Sequence, residues 1–393
     1  KVFLLILLGM LSAFGPFVTD MYLPSLPAMA DYFSASLPMV QMGLTTSMIG
    51  LALGQIFFGP LSDKYGRRPL LLVSMLLFIV STLFCLFAPD IYSFVTLRLI
   101  QGIAGAGGIV ISRSVAIDKF SGKELAKMLA VIGAINGVAP VAAPVIGGLL
   151  TGSVGWQGIF MILLFIGILL GIGCIRFKES LPAEKRSKTG VWATFRSFGI
   201  IVHNRRYMLY VFQLAFAQGI LFAYIASSPF IIQQHYGFSP FAFSICFAVN
   251  AVAIGVAAAL SVKFRRTENG TLTGCVGMLV FAVLQMAALY SGCGFWTYEL
   301  LMFALLFMMG LTFTASTTLA MDCERRYAGA ASALLGALCF ASGGIVSPLV
   351  GLGDILISTG VTFVICAVCS LLCALWAVKR TGPKVALRSE EHT

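Results

Sequence analysis

The sequence predicts an all-α membrane protein of twelve transmembrane helices, arranged as two pseudo-symmetric six-helix bundles. Three observations carry that prediction. Hydrophobic residues make up 59% of the 393 residues and charged residues only 10%, against roughly a quarter charged in a soluble domain. Twelve runs are long enough to cross a bilayer core, which takes about 20 apolar residues in a helix. The positive charges also fall on alternate loops, as a correctly counted set of spans requires. The composition excludes a soluble enzyme, a disordered chain and a secreted disulfide scaffold. Nor does the net charge of +11 point to nucleic acid, because the 26 Lys and Arg are scattered between apolar runs.

The first run, 2-28, ends on Pro24 and Pro27, and the basic stretch from Lys64 to Pro69 separates the second, 38-60, from the third, 69-88. The fourth, 91-115, follows Pro89 and Asp90, and Lys119 to Lys123 divide it from the fifth, 126-150. The sixth, 155-177, precedes the longest polar stretch, 178-205, where Trp192 to Phe198 read either as a surface helix or as plain linker. The later runs are 206-233, 239-262, 271-292, 296-321, 329-352 and 355-378, and a polar tail, 380-393, follows. The domains expected are therefore a first bundle, 1-177, a basic cytoplasmic linker, 178-205, a second bundle, 206-379, and the tail. Helix is required because lipid leaves unpaired backbone groups without partners, and the runs lack the alternation of a barrel. Of the 26 Lys and Arg, all but Arg98 lie in segments that alternate from the first residue, which orients both termini to the cytoplasm.

Several chemistries find no support. Cys366, Cys369 and Cys373 mimic a metal spacing, but no His or acid is near enough in sequence to complete a set, so they read as small apolar filler. No phosphate-cradling loop of the G-x4-G-K-[ST] type occurs, which argues against ATP as the driving force. Neither a metal nor any other cofactor is expected.

Two charges are expected inside the membrane. Asp20 lies in Val18-Thr19-Asp20-Met21-Tyr22-Leu23-Pro24, and an intramembrane carboxylate marks a functional site unless Pro24 ends the span early and leaves it at the interface. Arg98 lies in Leu97-Arg98-Leu99-Ile100-Gln101-Gly102, and reads either as a structural cation bonded to backbone carbonyls or as a fixed charge tuning proton release from a nearby acid.

Between the second and third runs the chain reads Gly59-Pro60-Leu61-Ser62-Asp63-Lys64-Tyr65-Gly66-Arg67-Arg68-Pro69. This resembles the G-x-L-[SA]-D-[RK]-x-G-[RK]-[RK] signature of the major facilitator superfamily, and the segment around Arg98 resembles that family's helix 4 motif. Helix 5 carries Gly133, Asn136, Gly137, Pro140, Ala143, Pro144, Gly147 and Gly148. It resembles the glycine-proline motif of antiporters, departing from it at Ala143, where Gly is usual. The physical content is a kinkable helix with a small face. The Asp20-x-Tyr22-Leu23-Pro24-x-x-Pro27 pattern, and Ser227-Ser228-Pro229-Phe230-Ile231 followed by Tyr236-Gly237-x-Ser239-Pro240, resemble the bicyclomycin/chloramphenicol-resistance subfamily of drug:proton antiporters.

The resemblance implies the major facilitator fold and a monomeric bacterial inner-membrane exporter that exchanges a small amphiphilic drug for protons. A proton-coupled or facilitative metabolite transporter is the alternative. It further implies that Asp20 and Arg98 couple protons, and that the helix 2-3 loop locks the outward-facing state. Asp63 would then reach Arg113 and the start of helix 11 near Gly329, and Asp118 would join Arg67 or Arg68. For the ligand, Asp20, Met48, Asn136, Gln218, Tyr224, Phe230, Phe247 and Asn250 are the candidate contacts, Met and aromatic residues supplying an adaptable apolar wall.

Overall fold

The computed structural model describes residues 2–120, 122–186, 191–261, 263–324 and 328–379, excluding the side chains of 122–127, 129–138, 140–141, 185, 191–195, 197 and 328–329. The first run continues further than its prolines imply. Helix α1 (Val2–Asp20) passes through a short 3-10 turn (Leu23–Ser25) into α2 (Leu26–Tyr32). Pro24 and Pro27 occupy first-turn positions, where a missing N–H costs nothing, so they bend the span without ending it. Helices α3 (Leu37–Tyr65) and α4 (Arg67–Leu86) are divided by Gly66, whose φ of 103° is open to glycine and strained for other residues. The Asp90 carboxylate accepts from the Ser93 N–H at 2.7 Å and starts α5 (Ile91–Lys119).

Helix α6 (Gly122–Arg176) carries the fifth and sixth runs as two arms broken at Gly155, where φ 64° and ψ −172° leave the helical region. Helix α7 (Val191–Val202) lies within the linker, and covers the Trp192–Phe198 segment. Asn204 caps α8 (Arg205–Phe230), which relaxes after Pro229 into a π turn (Ile231–His235). The remainder is α9 (Pro240–Ser261), α10 (Thr267–Tyr290), α11 (Phe295–Cys323), α12 (Ala328–Leu349) and α13 (Ile355–Lys379). Among the described residues eleven helical segments are long and apolar enough to cross a bilayer. The break in α6 makes twelve passes. Large apolar side chains such as Leu76, Phe84, Phe165 and Trp376 stay more than half exposed, as a lipid-facing surface requires.

In the first half, α5 packs on α1, α3 and α4, while α6 packs on α1 and α4. In the second, α8 packs on α11, α12 and α13, and α11 packs on α9 and α10. The halves meet along two seams, α3 with α12 and α6 with α9. Small residues permit the close approaches within each half. A Cβ on Gly54 of α3 would lie 2.5 Å from the Ile103 carbonyl of α5, and one on Gly310 of α11 would lie 2.5 Å from the Ile254 carbonyl of α9.

Candidate functional site

The α1 turn brings Asp20 inward, where it is 6% exposed. Its Oδ1 accepts from the Thr19 hydroxyl at 2.8 Å. Arg98, two turns into α5, is fully buried. Its guanidinium donates to the carbonyls of Val18 at 3.1 Å and Gly43 at 3.4 Å and to the Gln101 side chain, which in turn donates to Thr82 at 2.7 Å. The Tyr22 ring covers it at 4.4 Å and Phe160 at 5.7 Å. A permanent cation needs several acceptors inside a membrane, and here two carbonyls, an amide and an aromatic face supply them. Arg98 therefore ties α1, α3 and α5 together, in the manner of the structural reading, and no ion pair joins it to Asp20 among the described residues.

Two subfamily-like patterns some 200 residues apart meet at the end of the bundle away from the basic loops. Gln233 Nε2, in the π turn, donates to the Pro24 carbonyl at 3.1 Å, and Gln41 Nε2 donates to the Ala226 carbonyl at 2.9 Å. Gly351 after α12 sits on Gln41 so closely that a Cβ would strike its side-chain carbonyl. The halves are thus closed on each other at this end.

Along the α3–α12 seam, Met48 is buried beside Gly343, with Phe222 against the same glycine and Phe340 6.0 Å from the Phe222 ring. Tyr224 and Phe247 stack at 5.7 Å with 17° between planes, and Phe230 is buried a turn and a half further on. Gln218 is half-buried, and its Oε1 makes no hydrogen bond among the described residues. The Asn136 side chain lies outside the described residues, as do the surroundings of Gly133, Gly137 and Pro140. Of the helix 5 set, Pro144, Gly147 and Gly148 are buried, Gly147 against the Met21 carbonyl and Gly148 against Ser244 of α9. This small face is what lets the second seam form.

The helix 2-3 loop forms a network confined, among the described residues, to the first half. Arg67 Nε donates to Asp118 at 2.9 Å, and Nη1 donates to Ser62 at 2.7 Å and to Asp63. Arg68 donates to the Ile175 carbonyl at 2.7 Å. Among the described residues Asp63 pairs with Arg67 and not with Arg113, which is exposed on α5; residues 325–327 and the side-chain surroundings of 328 and 329 lie outside the described set. The reason is reach: Asp118 and Ser62 hold the Arg67 guanidinium against Asp63, four residues back across the Gly66 break, and it takes that carboxylate. A Cβ on Gly59 would come no nearer than 3.5 Å to Val110 among the described residues, an ordinary contact.

Sequence reasoning missed two acids. Glu179, just past α6, accepts from the backbone N–H groups of Arg67, Arg68, Ser180 and Leu181 at 2.9–3.1 Å. Partial burial pushes its carboxyl up, but these four hydrogen bonds outweigh that and hold it below the usual range. A Cβ on Gly66 would fall 2.6 Å from the same carboxylate, so Gly66 is needed for space as well as for φ. No local pattern announces such a cap, because the helix start it serves, at Arg67 and Arg68, is over a hundred residues away. Glu299 in α11 is the second. The Asn250 Nδ2 donates to it at 2.8 Å and to the Tyr224 hydroxyl at 3.0 Å. A signal existed here, since the run 296-321 already contained this carboxyl.

The sequence profile of the Major Facilitator Superfamily matches residues 5–348. The chain is 39% identical over 355 residues to the uncharacterised MFS-type transporter YdgK of Bacillus subtilis, covering 88% of each. It is 30% identical over 357 residues to the bicyclomycin resistance protein homolog of Haemophilus influenzae, covering 87% of each, and 27% identical over 289 residues to a chloramphenicol resistance protein of Pseudomonas aeruginosa, covering 70% of this chain and 67% of that one. Its fold is similar to a bacterial homolog of the human lysosomal transporter Spinster in an inward-facing, unoccupied conformation, with a TM-score of 0.78 at 18% identity over 96% of this chain and 98% of that one. It is also similar to the xylose transporter XylE of E. coli, with a TM-score of 0.74 at 14% identity over 96% and 97%. This chain belongs to the major facilitator superfamily, on the branch that holds the bicyclomycin- and chloramphenicol-resistance proteins, and is a multi-pass membrane transporter rather than an enzyme.

Proposed function

We propose that the chain exports a small amphiphilic compound in exchange for protons by alternating access, as a monomer in the bacterial cytoplasmic membrane with its basic loops and both termini inside. The observation that carries this reading is Asp20, a buried carboxylate inside a membrane helix, held by one side-chain hydrogen bond, four residues from the Pro24–Gln233 contact. Opening the far end breaks the Gln233–Pro24 and Gln41–Ala226 bonds, so the position of α1 and the access of Asp20 change together. The relatives' names supply the substrate class, and Met48, Phe222 and Phe340 offer the apolar seam such a compound needs.

Proton and compound compete, and each weakens the other's binding by the same factor, which constitutes the coupling. With the far end closed, the pairing of Asp63 with Arg67 belongs to the inward-facing state. The contact with Arg113 that the family resemblance implies belongs to the outward-facing one.

The test is reconstitution in liposomes with an imposed proton gradient and added bicyclomycin, chloramphenicol or a cationic dye. Compound-dependent proton flux is expected, and its loss in Asp20→Asn. Flux that survives Asp20→Asn unchanged would remove Asp20 from the carrier role. Flux driven by a sugar or another polar metabolite, and by none of the drugs, would replace the export reading.

A further inference from the structure

The second half contains a carboxyl to which the mechanism above gives no task. Glu299 projects from the first turns of α11 towards α8 and α9, while its neighbours Trp296 and Leu300 stay exposed. Its Oε1 is bonded to Asn250 Nδ2; its Oε2 is buried and has no hydrogen-bond partner among the described residues, and the same holds for Asn250 Oδ1. Among the described residues, the groups around it bring no compensating cation. Tyr224 comes from α8, Cys246 and Asn250 from α9, and Tyr298 from α11 itself, with the Tyr236 ring tilted against Tyr298 at 5.7 Å. Helix α10 carries no charged residue from 269 to 290, and α12 carries none.

An ionised carboxylate with one hydrogen bond and no cation is costly at such a place. The two orphaned atoms are both acceptors, one on each of two groups already joined by Nδ2–H···Oε1. One proton on Oε2 provides the missing donor, and Asn250 Oδ1 accepts it. This closes the two-bond pair that a carboxylic acid forms with an amide. Asn250 spends its other N–H on Tyr224, which stacks on Phe247, so the protonation of Glu299 is transmitted to the packing of α8 against α9.

We infer that Glu299, paired with the Asn250 amide, is a second proton-exchange site of this transporter, located in the half that lacks Asp20. Its role in transport rests on the proton-coupled reading above; its binding of a proton does not.

The experiment uses the full chain in membrane vesicles, with dicyclohexylcarbodiimide, which modifies protonated carboxyls within the membrane, as the probe. The adduct is located by mass spectrometry at a series of pH values. Modification of Glu299 that falls at least tenfold as pH rises is expected. Absence of the adduct at every pH, with Asp20 modified in the same sample, would overturn the inference. So would modification that does not change with pH.

Glu299→Gln keeps the Asn250 hydrogen bond and nearly the same shape. It should retain exchange of compound for compound and lose at least tenfold in proton-driven accumulation. Unchanged accumulation would also overturn the inference. If Glu299 titrates but no drug drives proton flux, the export reading fails and the proton site stands.

Discussion

Arg98 and Glu299 occupy comparable places in the two halves. Each lies near the same end of the fourth long helix of its half, and each is near a tyrosine from the first, Tyr22 or Tyr224. Their surroundings differ in kind. Arg98 is fully buried, and its donors end on two carbonyls and an amide under an aromatic face. Among the described residues Glu299 has one bond and leaves two acceptors without donors. A group that cannot change its charge is built into the scaffold by satisfying all of it. A group that can change its charge is left one proton short of satisfaction. An intramembrane charge is therefore read by counting its partners, since both lie near the same end of their helices.

The comparison breaks most readily at Arg98. Arg98→Leu strips partners from Val18, Gly43 and Gln101 at once, and should cost about 3–5 kcal/mol, the scale of losing one member of a buried charge network. Thermal unfolding in detergent reads this as a fall large enough to abolish a monodisperse folded protein. Arg98→Lys keeps the charge but not the planar fork and should fall between. If Arg98→Leu unfolds with the wild-type curve, the anchoring role is lost.

The glycine seams sharpen the contrast by testing whether the halves are otherwise alike. Gly54→Val and Gly310→Val each place a Cβ against a facing carbonyl and should destabilise by about 1–3 kcal/mol. Similar shifts in the two variants confine the difference between halves to their charges, whereas a shift in only one would show that the scaffolds differ too.

The smallest expected effect is at Glu179, which belongs to neither site. Removing it uncaps the start of α4 and should cost roughly 1 kcal/mol. Its carboxyl is held below the usual range by the four N–H groups, so its contribution is present at neutral pH and is lost as pH falls through the depressed value. Unfolding curves of wild type and Glu179→Gln should separate at neutral pH and converge on acidification; curves equally far apart at low pH would contradict the cap.

Much of this was legible along the chain. Hydropathy marked the spans because lipid demands long apolar helices wherever they pack, and Lys and Arg marked alternate loops. The family showed in the Gly59–Pro69 loop because Gly66 and Arg67 do local work: one turns the chain, and the other reaches Asp63, four residues back. The prolines of the first run misled, since Pro24 and Pro27 sit where a helix tolerates them. The partner of Asp63 in this structure was not legible along the chain, because Arg67 and Arg113 are equally basic in sequence and differ only in where Asp118 holds one of them.

Composition and periodicity by themselves determined the class of protein, its passes and which charges the membrane must accommodate. Only the tertiary structure decided which groups partner each charge. Hydropathy depends on a residue's own transfer energy, whereas partnership depends on how each helix is rotated against its neighbours. Rotation put the Val18 and Gly43 carbonyls around Arg98 and the Asn250 amide within hydrogen-bond reach of Glu299.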